Sequence, residues 1–273
     1  MALMRLNFES EYLAGNTEVT VILPDRTGDA APADFYKSGK KYPVLWLLHG
    51  TWGDHSDWVR RTKIELYAYE RDVIVVMPTA LNSNYANWPD FSIGYRMYDY
   101  LTEELMPLVY GWLPASDKRE DNFVAGLSMG GMGTCVYAFN RPEKFGGAAV
   151  LSYAPVNFDT LEQNMPDFYE RMTKSFANYG GREGFLNSVE NTWRIAGEKA
   201  GSTELPRLYV ACGEDDKLFV LYREFQAYAK QIGLEATFES APGYKHEWRF
   251  WDLYIEKALD FFGLEKHRRE GIF

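Results

Sequence analysis

Five short stretches of this chain are apolar almost throughout: 42–50 (YPVLWLLHG), 72–78 (DVIVVMP), 122–128 (NFVAGLS), 147–154 (GAAVLSYA) and 207–213 (RLYVACG). Unbroken runs of this length, rich in Val and Leu and mostly closed by Gly or Pro, predict strands of a parallel sheet buried on both faces. The run 17–24 (TEVTVILP) alternates instead. It predicts an antiparallel edge strand, paired with the first segment, MRLNFESEYL. A shorter, more polar run at 235–243 (EATFESAPG) predicts a late strand near an edge.

Between the runs the apolar spacing becomes helical. SDWVRRTKIELYAYE follows the first parallel strand, with Ser56 or Asp57 as its cap. RMYDYLTEELMPLVYGWL puts Tyr98, Leu101, Leu105, Leu108 and Val109 on one side. SMGGMGTCVYAFN stops at Asn140, before an Arg-Pro pair. FVLYREFQAYAKQIG and WRFWDLYIEKALDFFG each end on Gly. Strands alternating with helices predict right-handed βαβ units, and so a mostly parallel α/β sheet of about eight strands with helices on both faces. The region from about 156 to 202 holds helical pieces and no strand. It reads as an insertion before the late strands, placed to cover the C-terminal edge of the sheet. No linker divides the 273 residues, a length that fits a single domain.

Composition narrows the partners. With 39 acidic against 29 basic residues the net charge is -10, which argues against nucleic acid and anionic membranes and disfavours strongly anionic substrates. The one basic run, EKHRRE near the C-terminus, reads as a solvated tail. Cys135 and Cys212 have no metal-ligand spacing, so neither a zinc site nor another cofactor is expected. The His55 and Asp54 pair lacks a third ligand. The first residues, MALMRLNFESEYLAG, lack the apolar run of a signal peptide, and no stretch approaches 18 apolar residues. Both points predict a cytoplasmic protein with reduced thiols.

The chemistry centres on Gly126-Leu127-Ser128-Met129-Gly130. This G-x-S-x-G lies between a predicted strand and a predicted helix, the setting in which a strained turn lifts a serine hydroxyl above the sheet. Gly126 and Gly130 clear space for the turn, and Gly131 and Gly133 let the helix approach the sheet. A serine hydroxyl needs a base. Of the four histidines only His246 and His267 follow Ser128. His267 lies in the tail, while His246 follows the last strand, so His246 is the base. The acid belongs after the strand 207–213, where Glu214, Asp215 and Asp216 stand; spacing alone leaves the two aspartates open. Backbone N–H groups of Met129 and Thr51 are placed to hold an oxyanion, with His49 organising the loop. Aromatic loop residues Trp52 and Trp88 are candidates for lining a substrate pocket.

LLHGTWGDHSDW, MYDYLTEELMPLV, AGLSMGGMGTCVYAFNRPEKFGGAAVLS, CGEDDKLF and GYKHEWRFWD together resemble the esterase D-like group of α/β-hydrolases, over about 42–262. That group includes tributyrin esterases, feruloyl and acetylxylan esterases and S-formylglutathione hydrolases. The resemblance selects Asp216 as the acid and supports Thr51 as the second oxyanion donor. It implies a small neutral ester as substrate, with a short acyl, acetyl or cinnamoyl group, and a dimer or tetramer. Met132 stands where many relatives carry Tyr or His, and 156–202 matches least. An S-formylglutathione-type thioesterase is the alternative enzyme. A non-catalytic binding protein on the same fold is the third reading, opposed by the complete triad.

Overall fold

A computed structural model describes residues 1–26 and 30–267. The predicted strands are β1 (Ala2–Ser10), β2 (Gly15–Leu23), β3 (Val44–Leu48), β4 (Ile74–Pro78), β5 (Asn122–Leu127), β6 (Gly147–Leu151), β7 (Arg207–Gly213) and β8 (Thr237–Ala241). They form one eight-stranded sheet in the order β1-β2-β4-β3-β5-β6-β7-β8. Strands β3 to β8 are mutually parallel, and β2 runs antiparallel to both of its neighbours. This is the α/β-hydrolase fold. The edge strand β8 pairs with β7 alone and stays half-exposed, as its polar sequence requires.

The unbroken apolar runs follow from the two covered faces. In β3, Val44, Trp46 and Leu48 enter one core while Leu45 and Leu47 enter the other, and all five are fully buried. Each such side chain contributes roughly 1.5–3 kcal/mol. The second face is covered by α1 (Asp57–Arg61), α2 (Ile64–Arg71) and the last helix, whose contacts include Trp58, Ile64, Ala68, Phe250 and Ile255. The first face is covered by α3 (Met106–Trp112), α4 (Met129–Asn140), α5 (Pro166–Phe176), α6 (Thr192–Lys199) and α7 (Phe219–Ile232), through Val109, Val136, Met172, Ile195 and Phe225. The last helix is α8 (Trp248–Phe261). Gly233 and Gly263, just beyond α7 and α8, have φ of +70° and +76°, the left-handed ending that glycine permits.

Three details differ from the expectation. The helix predicted through 56–70 is two pieces, because Thr62 leaves the helical region and its hydroxyl donates to Trp58 O at 2.6 Å. Ser56 does not cap with its side chain; its hydroxyl donates to Asp54 Oδ1 at 2.6 Å. The helix predicted through 96–113 widens at Tyr100–Leu105, where Met106 N–H reaches back five residues to Leu101 O. Pro107, lacking an N–H, cannot make the ordinary bond to Glu103 O. The described part of the tail, Glu265, Lys266 and His267, is exposed, as expected, and His267 N–H donates to Glu70 O at 2.7 Å. The rest of EKHRRE, 268–270, lies outside the described residues. Among the described residues no helix is long and apolar enough to cross a membrane.

Candidate active site

Ser128 joins β5 to α4 with φ +54° and ψ -116°, a conformation that costs a non-glycine residue of order 1–3 kcal/mol. Its neighbours hold it there. Ser128 N–H donates to Leu151 O at 2.9 Å, and its carbonyl accepts Met132 N–H at 3.0 Å. The flanking glycines are obligatory. A Cβ on Gly126 would lie 2.4 Å from Gly130 C and O, and one on Gly130 would lie 2.3 Å from Leu48 O. Gly131 brings α4 against Leu151 and Tyr153 at the end of β6. Gly133, expected to do the same, instead accommodates the Tyr85 ring, which a Cβ would meet at 2.6 Å.

The histidine and its acid come from different strand ends. Asp216, in the turn after β7, is buried and places Oδ2 at 2.8 Å from His246 Nδ1. Its Oδ1 accepts Leu218 N–H at 2.9 Å. Burial alone would push this carboxyl up. The hydrogen bond and charge of His246, the Leu218 N–H and the Ser152 hydroxyl outweigh it and hold Asp216 below the usual carboxylate range. Asp215 is exposed and points its backbone N–H to Tyr244 O at 3.0 Å. Of the two aspartates, Asp216 is the one that faces His246. His246 packs edge-on against Trp251, with ring centroids 5.0 Å apart, leaving Nε2 as the nitrogen not committed to Asp216.

The loop after β3 is fastened on several sides. His49 is buried; its Nδ1 donates to Gly50 O at 2.7 Å, so its Nε2 accepts Ala80 N–H at 2.9 Å. Burial pulls its pKa down, opposed by the Gly50 carbonyl. Tyr85 O–H donates to His49 O at 3.0 Å, and Trp58 Nε1–H to Leu48 O at 3.1 Å. The N–H groups of Thr51 and Met129 have no protein acceptor among the described residues, which leaves both free to bind an oxyanion. His55 is spent structurally: its ring nitrogens face Thr20 Oγ1 at 2.6 Å and Glu18 Oε2 at 3.3 Å.

Ser128, His246, Thr51 and Trp52 line one open cavity of about 400 Å³, together with Phe168, Arg171, Lys217, Trp248 and Trp251. Deeper, Ser128 and Met129 border a pocket of only about 20 Å³, closed by Met132, Tyr153, Phe168, Met172 and Leu218 and by the polar Asn84 and Arg171. Trp52 stands at the mouth, 89% exposed with φ +67°, its N–H held by Asn82 Oδ1 at 2.9 Å. Trp88 is not brought to this cavity. Its indole N–H donates to Ser83 O at 2.8 Å, and its ring lines a separate apolar depression with Leu81, Phe91 and Tyr95. Hydrogen bonding within its own loop turns it away, so Trp88 is corrected from pocket residue to loop packing.

Sequence reasoning missed three residues. Ser152, φ +50°, accepts Trp251 Nε1–H at 2.9 Å and sits beside Asp216; its position at the C-terminal end of a parallel strand was the signal. Tyr85 seats the loop after β3 through His49 O. Arg171, on α5 in the insertion, donates to Thr51 Oγ1 at 2.9 Å and Asn84 Oδ1 at 3.4 Å; no motif marks it.

Residues 10–259 match the family described as "Putative esterase". An acetyl esterase of Caldicellulosiruptor saccharolyticus is 29% identical over 267 residues, covering 96% of this chain and 98% of that protein. The structure of FphF, a fluorophosphonate-binding serine hydrolase of Staphylococcus aureus, superimposes with a TM-score of 0.79 at 30% identity, covering 97% of this chain and 99% of that one. An S-formylglutathione hydrolase (FrmB) of the same organism gives the same identity, coverage and TM-score.

Proposed function

This chain belongs to that esterase family and is a serine esterase, and on that premise we propose that Ser128 is its nucleophile, His246 its general base and Asp216 the acid that orients His246. The carrying observation is the 2.8 Å bond from buried Asp216 to His246, with His246 and the strained Ser128 opening on one cavity. With Nδ1–H bonded to Asp216, His246 Nε2 is the free base. It takes the proton of Ser128 Oγ as that oxygen attacks the ester carbonyl. Thr51 and Met129 N–H groups receive the oxyanion, each worth about 10²–10³ in rate. His246 then gives the proton to the departing alcohol. Water, activated by the same histidine, releases the acid from the acyl-enzyme.

The acyl group is short. The pocket behind Ser128, about 20 Å³, holds roughly one methyl-sized group. The likeness to an acetyl esterase supports an acetyl ester. The same pocket suits a formyl group, and likeness to an S-formylglutathione hydrolase supports a thioester as the second reading. Turnover of p-nitrophenyl acetate, butyrate and octanoate, methyl ferulate and S-formylglutathione distinguishes them, each against Ser128→Ala. Acetate activity lost in Ser128→Ala with folding intact is the expected result; wild-type rates in that variant would sink the assignment. Two free, buried thiols support a cytoplasmic location. Exposed Trp112 and Ile93 supply apolar surface for the proposed oligomer, which light scattering tests.

A further inference from the structure

The whole chain carries a net charge of -10, yet the cleft before Ser128 is cationic. Its charged lining, apart from His246, is Asp57, Arg61, Arg171 and Lys217. Arg61 Nε pairs with Asp57 Oδ1 at 3.4 Å, which cancels those two. Arg171 and Lys217 make no ion pair with any described residue.

Arg171 is clamped. Its Nη2 donates to the neutral acceptors Thr51 Oγ1 and Asn84 Oδ1. Asn84 is buried and itself held by Ser175 Oγ, accepting from Asn84 Nδ2 at 3.1 Å. Nε and Nη1 have no protein partner among the described residues; they lie on different sides of the guanidinium, so each offers a separate N–H donor beside the occupied Nη2. Removing a cation from water without a counter-ion is unfavourable, and burial pulls the Arg171 pKa down. Among the described residues no acidic side chain lies within ion-pair distance of it. A fixed guanidinium with unpartnered N–H donors and no counter-ion attracts a carboxylate or phosphate through charge-assisted hydrogen bonds. Lys217, exposed and next to Asp216, adds a mobile charge.

We propose that this cleft selects esters that bear a negative charge on the alcohol portion, with Arg171 receiving the anionic group and Lys217 strengthening the field. Arg171 borders both spaces; the alcohol side is assigned because the acyl pocket of about 20 Å³ has no room for a charged group and the cavity of about 400 Å³ does. The inference rests on the serine esterase reading of Ser128. It revises the expectation drawn from net charge: the surface repels anions on average, while the cleft focuses them.

The test compares two acetate esters with one leaving phenol, 3-(4-acetoxyphenyl)propanoate and its primary amide. The propanoate side arm insulates the reacting bond from the charge. Wild-type kcat/KM is expected to favour the carboxylate about tenfold, and the preference to shrink as salt rises from about 0.05 M to about 1 M. Arg171→Gln should bring the ratio near one, Arg171→Lys should keep part of it, and Lys217→Gln, an exposed change, should lower it at least about twofold. A wild-type ratio near one, or an undiminished ratio in Arg171→Gln and Lys217→Gln, overturns the anion subsite while both esters are still hydrolysed. Failure of wild type to hydrolyse either ester or to react with a fluorophosphonate overturns the esterase reading, and this inference with it.

Discussion

His246 Nδ1 lies 2.8 Å from Asp216, whose side chain is wholly removed from solvent. A buried carboxylate that accepts from both His246 and Leu218 fixes the ring and its tautomer together. Asp216→Asn keeps the shape and removes the charge, so kcat should fall about 10⁴-fold, the loss known for this change in serine protease triads. Because the folded pKa of Asp216 is lowered, its contribution to stability is present above the unfolded value near 3.8 and is lost as pH falls through the folded value. Acid melts of wild type should therefore show a drop that Asp216→Asn lacks; identical acid limbs would refute the linkage.

His49 serves the opposite end of the site. Its two ring bonds demand the neutral form, and burial lowers its pKa. That contribution is present above the unfolded value near 6.5 and is lost as pH falls through the folded value. His49→Ala frees the Ala80 N–H and loosens Thr51. The expected result is a fall in kcat of about 10–100-fold, up to the lower bound for one lost oxyanion donor, with a smaller change in KM. An unchanged kcat would mean that Tyr85 and Trp58 suffice to hold the loop.

Much of this is legible in the order of residues. The runs at 42–50, 122–128 and 207–213 announce strands because both sheet faces are covered, and G-L-S-M-G at the end of one of them announces the turn. Other features depend on partners far along the chain. Lys63 N–H is held by Asp252 Oδ1, 189 residues away, where the predicted helix breaks. Arg171 reaches Thr51 over a separation of 120 residues. Helical periodicity in 156–202 gives the form of the insertion but not which of its side chains turn toward Ser128.

Glu190 tests the insertion. Burial pushes its carboxyl up to about 8, and the Tyr179 hydroxyl opposes the shift without a well-aligned hydrogen bond. The sign is the reverse of Asp216: stability is full below the unfolded value near 4.5 and falls as pH rises to about 8. Glu190→Gln should raise Tm above pH 8 relative to wild type, by a few kcal/mol in stability at most, and change little near pH 4. Parallel Tm-pH curves for the two proteins would contradict this.

Gly130 tests the elbow. An added Cβ would meet backbone, Leu48 O at 2.3 Å and His49 O at 2.7 Å, with no flexible side chain to yield. Gly130→Ala should therefore cost about 3 kcal/mol or more and spoil the turn that carries Ser128. Gly201, where a Cβ meets nothing within 4 Å, is a control for added bulk, although its φ of +79° carries its own cost. Wild-type activity in Gly130→Ala would show that α4 can shift from the sheet.

Met132 tests the proposed acyl pocket. It closes the 20 Å³ pocket with Met172 and Leu218, and it is buried. Met132→Ala removes three side-chain atoms beyond Cβ and deepens the pocket by about two to three methylenes, each worth about 0.8 kcal/mol, or roughly fourfold, when buried. The butyrate-to-acetate ratio of kcat/KM should rise at least about tenfold, with acetate turnover itself little improved. The cavity also destabilises the fold by about 2–5 kcal/mol, so the ratio within one preparation is the safe reading. A profile unchanged in both Met132→Ala and Met172→Ala would mean that the acyl chain lies in the larger 400 Å³ cavity. The small pocket would then serve only to seat Met129 and its N–H.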